Sequence, residues 1–113
     1  MEIKKIRKLI YYMEATIRKD DDNQVTLILD GYLDTSVTPQ TEKEVEPLYQ
    51  FSDSEIVIDC SRLQYISSSG LRLLMAINQR CRANHCRLYI KGLQEKVKDV
   101  FVTTGFTNLF EFK

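Results

Sequence analysis

From Met13 to Lys19 apolar and polar residues alternate loosely, and the run stops at Asp20-Asp21-Asp22-Asn23, a polar turn of the kind that joins two antiparallel strands. The second arm, Gln24 to Leu33, is rich in β-formers and almost continuously apolar, as a strand covered on both faces would be. Thr38-Pro39 then reads as an N-cap followed by proline at the first helical position, with Glu42 and Glu44 set early against the positive end of the helix dipole. Thr41, Val45 and Leu48 continue that helix at i, i+4 and i+7, and Pro47 shortens or kinks its last turn.

Ile56 to Cys60 is a short β-branched apolar run and predicts a central buried strand. About twenty residues with a helix among them separate it from the Leu33 strand, which is what a right-handed parallel crossover requires. The strongest helical signal runs from Ser69 or Gly70 to about Ala83. Leu71, Leu74, Met75, Asn78 and Cys81 form one stripe that Leu73 and Ile77 widen, and the narrow polar face leaves room for a partner beside the core. Cys86 to Gly92 alternates as a further strand, and Leu93, Val97, Val100 and Phe101 mark a last helix ending near Gly105. Leu109 to Phe112 closes the chain as a brief strand or packed tail. The rhythm β-β-α-β-α-β-α-β predicts one α/β domain: a mixed sheet of four to five strands with helices mainly on one face.

Composition narrows the function classes. The chain has 113 residues, enough for one core. At 43% hydrophobic and 28% charged residues it is neither disordered nor membrane-embedded in type. Sixteen basic residues balance sixteen acidic ones, so no global field gathers nucleic acid or an acidic membrane. Cys60, Cys81 and Cys86 contain no Cys-x-x-Cys pair and His85 is the one histidine, which argues against a metal site. Without a secretory signal the chain reads as cytoplasmic, with reduced thiols and no disulfide. Residues 1–12 are basic and mildly amphipathic; they are taken as an N-terminal extension, disordered or packed, with no function assigned, ahead of a domain at 13–113.

Chemistry concentrates where the Ile56–Cys60 strand leads through a loop into Ser67-Ser68-Ser69-Gly70 at the head of the apolar helix. One serine suffices as N-cap. A hydroxyl there can also accept a phosphoryl group, whose charge of about −1.5 to −2 is tolerated by the dipole and by free backbone N–H groups. Such a charge would switch a docking partner without refolding the domain. Asp59 and Ser61 read as a turn held by side chain to backbone hydrogen bonds.

These segments carry a resemblance. Ile56-Val57-Ile58-Asp59-Cys60-Ser61, Tyr65 to Leu74 and Gly31-Tyr32-Leu33-Asp34-Thr35 together resemble the STAS domains, in particular the bacterial anti-sigma-factor antagonists, over about Met13 to Phe112. The resemblance implies that the serine two before the glycine, Ser68, is phosphorylated by an anti-sigma factor that is itself a serine kinase. The preceding position, often aspartate in the antagonists, is Ser67 here, so Ser67 and Ser69 stand next as acceptors. It also implies a cycle in which the unmodified antagonist binds the anti-sigma factor and frees the sigma factor. Phosphorylation ends that binding, and a serine phosphatase restores it. Asp34, Thr35, Ser67, Ser69, Gly70, Leu71, Arg72 and Met75 are the expected partner contacts on a monomer or weak homodimer. No catalytic group and no cofactor is implied.

Two other classes compete with this reading. A serine hydrolase lacks a Gly-x-Ser-x-Gly pattern, and His85 follows the helix that the serines begin. A scaffold or sensor subunit of the same fold would bind protein partners or nucleotide without a phosphorylation switch, although no Walker-type loop is present.

Overall fold

The computed structural model describes residues 12–113, so the expectation for the N-terminal extension lies outside the described residues except at Tyr12. Five strands form one sheet in the order β1-β2-β3-β4-β5. They are β1 (Met13–Lys19), β2 (Gln24–Leu33), β3 (Glu55–Ile66), β4 (Arg87–Lys91) and β5 (Glu111–Phe112). β1 is antiparallel to β2 and every later pairing is parallel. Three helices fill the crossovers: α1 (Thr38–Val45), α2 (Ser68–Ala83) and α3 (Glu95–Thr103). The element order and the mixed sheet agree with the sequence.

One cluster forms the core. Val25, Leu27, Leu29 and Leu33 of β2, Ile56, Ile58 and Cys60 of β3, and Leu88 and Ile90 of β4 share it with Val45 of α1, Leu71, Leu74, Ile77 and Cys81 of α2, and Val97 and Phe101 of α3. The period of two along the strands and the 3.6-residue period along the helices therefore converge on one face of the sheet. Each fully buried Leu or Ile contributes about 1.5–3 kcal/mol by leaving water. The expected covering of β2 on both faces holds at one end of the strand, where Thr26 and its β3 neighbour Val57 are buried, and weakens at Ile28. Thr26 and Val57 point away from the core cluster, and Ile28, in register between Thr16 of β1 and Asp59 of β3, is half-buried.

Three local expectations are corrected. β3 does not stop at Cys60 but continues through Ile66, so no loop leads to the serines. Its register against β2 shifts between Ile28 and Asp30 and again between Gly31 and Tyr32, and these irregularities break the alternation that would have revealed the extra residues. Thr38 is not the cap of α1. Val37 occupies the N-cap position with no side-chain hydrogen bond, Thr38 is the first helical residue, and Glu42 and Glu44 fall past the first turn. Asp34 explains the difference, because its Oδ1 accepts from the backbone N–H groups of Ser36 (2.9 Å) and Val37 (3.1 Å) and so organises the turn before Thr38 is reached. Finally, α2 begins at Ser68, a residue earlier than the hydrophobic stripe indicated. As expected from Pro47, α1 gives way to a 3₁₀ turn over Glu46–Gln50, and Gly105 takes a left-handed φ of 78° just beyond α3.

Gly31 holds the hairpin to the sheet at φ 120°, where a side chain would run into the Tyr12 carbonyl. That carbonyl accepts a hydrogen bond from the Tyr32 N–H at 2.9 Å. Replacing Gly31 with alanine should therefore cost about 1–3 kcal/mol, read as a lower urea midpoint with an unchanged slope; an unaltered midpoint would show that the strand end relaxes freely.

The cysteines are free and buried. Burial pushes the Cys60 and Cys81 thiols up to about 12, so little thiolate exists at neutral pH. A colourless aromatic disulfide reagent added to the native chain should report no rapid thiol reaction, with all three appearing on unfolding. Fast labelling without denaturant would contradict the burial.

Candidate functional site

The carboxyl ends of β2 and β3 and the first turn of α2 meet at one end of the sheet. Ser67 follows β3 directly with extended backbone, φ −90° and ψ 171°, and caps α2: its Oγ accepts from the Gly70 N–H at 3.1 Å. The same residue ties the helix to the neighbouring strand. Its N–H and its hydroxyl both donate to the Leu33 carbonyl, at 2.9 and 3.2 Å. Two donors on one carbonyl, one from a cap, leave Ser67 buried and fully engaged.

Gly70 completes the junction. A methyl group there would lie 2.9 Å from Ile66 Cγ1 and 2.9 Å from Leu33 Cγ, so the missing side chain is what lets α2 approach the two strand ends this closely. Leu71, at 1% exposure, continues into the core.

Hydroxyls gather beside the cap. Ser69 Oγ lies 3.0 Å from Ser67 Oγ, donates to Thr35 Oγ1 at 3.3 Å, and is 3.4 Å from Thr38 Oγ1. Thr38 Oγ1 in turn donates to the Asp34 carbonyl at 2.7 Å. Ser68 stands apart. It is exposed, and its side chain makes no hydrogen bond among the described residues. In the same turn the Ser67 and Gly70 N–H groups are taken, while those of Ser68 and Ser69 have no protein partner among the described residues. This is the arrangement that an anion at a helix start uses.

Asp34 points into its own turn. The Ser36 hydroxyl donates to Oδ1 at 2.7 Å, and with the Val37 and Ser36 N–H groups it outweighs burial and holds this carboxyl below its ordinary range. Thus the expected contact residues divide. Ser68 and Arg72 are exposed on α2 and Thr35 is exposed in the loop; Ser69, Asp34 and Met75 are half-buried; Ser67, Gly70 and Leu71 are buried and offer a docking protein little surface. Leu71 lies on the stripe that faces the sheet, which is why it cannot also face outward.

Alongside, α1 and α2 enclose a shallow groove of about 190 Å³ lined by Thr38, Glu42, Ser69, Arg72, Leu73 and Ala76. Thr38 and Glu42 were not among the sequence-derived site residues, because their spacing marks a helix start and nothing in it marks the facing helix. His85 sits past the far end of α2, and a 16-residue helix spans about 24 Å, so no serine–histidine pair is assembled. Among the described residues no cluster of three or more His, Cys, Asp or Glu could hold a metal ion, and no helix is long and apolar enough to cross a membrane.

A β-β-α-β-α-β-α-β module with serines at this strand-to-helix junction is the architecture of one class of regulatory domain. The STAS domain family profile matches residues 12–113, and the chain belongs to that family. It is 30% identical over 98 residues to the candidate anti-sigma factor antagonist BtrV of Bordetella bronchiseptica, covering 87% of this chain and 84% of that one. In fold it is similar to an anti-sigma factor antagonist from Mycobacterium paratuberculosis, with TM-score 0.76, 19% identity, and 88% and 84% of the two chains covered. It is also similar to SpoIIAA in its unphosphorylated form, with TM-score 0.71, 19% identity and 88% of each chain covered. The phosphorylated form of Bacillus SpoIIAA superposes with TM-score 0.65 at 18% identity, over 88% and 91% of the two chains.

Two substitutions separate the roles of adjacent serines. Ser67→Ala should lose about 1 kcal/mol or more, since a cap and a buried donor vanish together, whereas Ser68→Ala should stay within about 0.5 kcal/mol. Equal losses in urea melts would merge the two roles.

Acid titration checks the Asp34 turn. Its folded pKa is depressed, so its stabilisation is complete above the unfolded carboxylate value and is lost as pH falls through the folded one. Asp34→Asn should flatten that part of the stability profile, leaving the contributions of Asp20, also held low by Thr26 and Arg18, and of Asp59, where burial is outweighed by the Ser61 N–H and hydroxyl. An unchanged acid limb would place the turn's stability elsewhere.

Proposed function

We propose that the chain is an anti-sigma-factor antagonist. Unmodified, it binds an anti-sigma factor that is also a serine kinase; phosphorylation of Ser68 releases it, and a serine phosphatase returns it to the binding form. It works in the cytoplasm as a binding protein and supplies no catalytic group of its own.

The observation that carries this reading is the contrast within three consecutive serines. Ser67 is consumed by the junction and Ser69 by the hydroxyl cluster, whereas Ser68 is exposed with its oxygen uncommitted. A kinase must reach the acceptor, and the product dianion must be tolerated. Ser68 meets both conditions, because the first turn of a helix favours negative charge and no buried contact has to be given up. The family membership and the antagonists among its relatives supply the partner class.

Calorimetry against the cognate anti-sigma factor tests the switch. Wild type and Ser68→Ala should bind with similar affinity, and Ser68→Asp and Ser68→Glu should bind at least tenfold more weakly while melting like the wild type. Incubation with kinase and ATP should add one phosphate that maps to Ser68 and is absent from Ser68→Ala. Equal affinity for the acidic variants would leave a scaffold or sensor subunit without a phosphorylation switch.

A further inference from the structure

We propose that Arg72 is the intramolecular counter-ion of a phosphoryl group on Ser68, and that pairing with it draws the guanidinium out of the groove between α1 and α2. This rests on the reading of Ser68 as the acceptor.

Ser68 and Arg72 are the first and fifth residues of α2, an i, i+4 pair on one face of the helix. Helical side chains lean toward the N-terminus, so the Arg72 stem is directed back over the turn that carries Ser68. The order is also the favourable one, with the anion N-terminal to the cation. A guanidinium presents its donors in a fork that matches two phosphate oxygens.

Nothing holds Arg72 elsewhere. It is exposed and makes no ion pair among the described residues, although Glu42 of α1 lines the same groove. Glu42 of α1 shares the groove with Arg72, beside Ser69, and Asp34 in the loop before α1 is already committed to Ser36 and Val37. Before modification the groove is lined by one cation, Arg72, and one anion, Glu42, on opposite helices. Afterwards the dianion is the stronger attractor, and the groove keeps Glu42 without its cation. A partner that set a carboxylate into the groove would lose its contact there as well as meeting the phosphate.

The test uses the full chain with phosphoserine installed at position 68 during translation, so that no kinase is needed. Phosphorus NMR then follows the second ionisation of the phosphate, ordinarily near pH 6. The midpoint should rise by about 0.3 unit in Arg72→Gln and further in Arg72→Glu, and it should fall below wild type in Glu42→Gln. Circular dichroism confirms that each variant keeps its helices, which exposed positions 42 and 72 favour. Coincident midpoints for wild type and Arg72→Gln would overturn the pairing. Failure of a kinase to modify Ser68 would instead strike the proposed function and leave this titration readable.

Discussion

The Leu33 carbonyl is where the architecture is decided. It ends β2 and receives both the N–H and the hydroxyl of Ser67, which is at once the residue after β3 and the cap of α2. One acceptor thus fixes two strand ends and a helix start relative to each other. Gly70 closes the same joint from the helix side, against Leu33 and Ile66. Buried polar groups are stable only when paired, and here the pairing also sets the direction in which the next side chain, Ser68, must point.

Rigidity around an exposed atom follows from this. The inward stripe of α2 runs from Leu71 through Leu74 and Ile77 to Cys81, all essentially excluded from solvent. A helix seated this way cannot shift by fractions of a turn without opening cavities. Charge added at its outer edge would therefore alter the exposed surface and leave the packing intact.

Much of the fold was legible because the chain's periods are clean. The apolar run from Gln24 to Leu33, the Ile56–Cys60 block and the Leu71–Cys81 stripe each announce an element, and their order leaves little freedom in topology. What escaped was set by tertiary partners. The end of β3 is hidden by register shifts against β2, and Thr38 has the residue type and spacing of a cap although Asp34, four residues earlier, performs the turn instead. In the site, the serine cluster was visible as a cluster. The division of labour within it was not, since it depends on which hydroxyl faces Leu33 and which faces water. Thr38 and Glu42 entered the site through the packing of α1 on α2, which no local pattern encodes.

The joint at Leu33 bears on timing. With the Ser68 oxygen already outside and the surrounding frame braced, a group added there would wait on no slow rearrangement. On the proposed cycle the module would keep no memory of its own history. The duration of a response would be written entirely by the opposing enzymes that add and remove the phosphate, and the same domain could serve circuits that act over seconds or over hours.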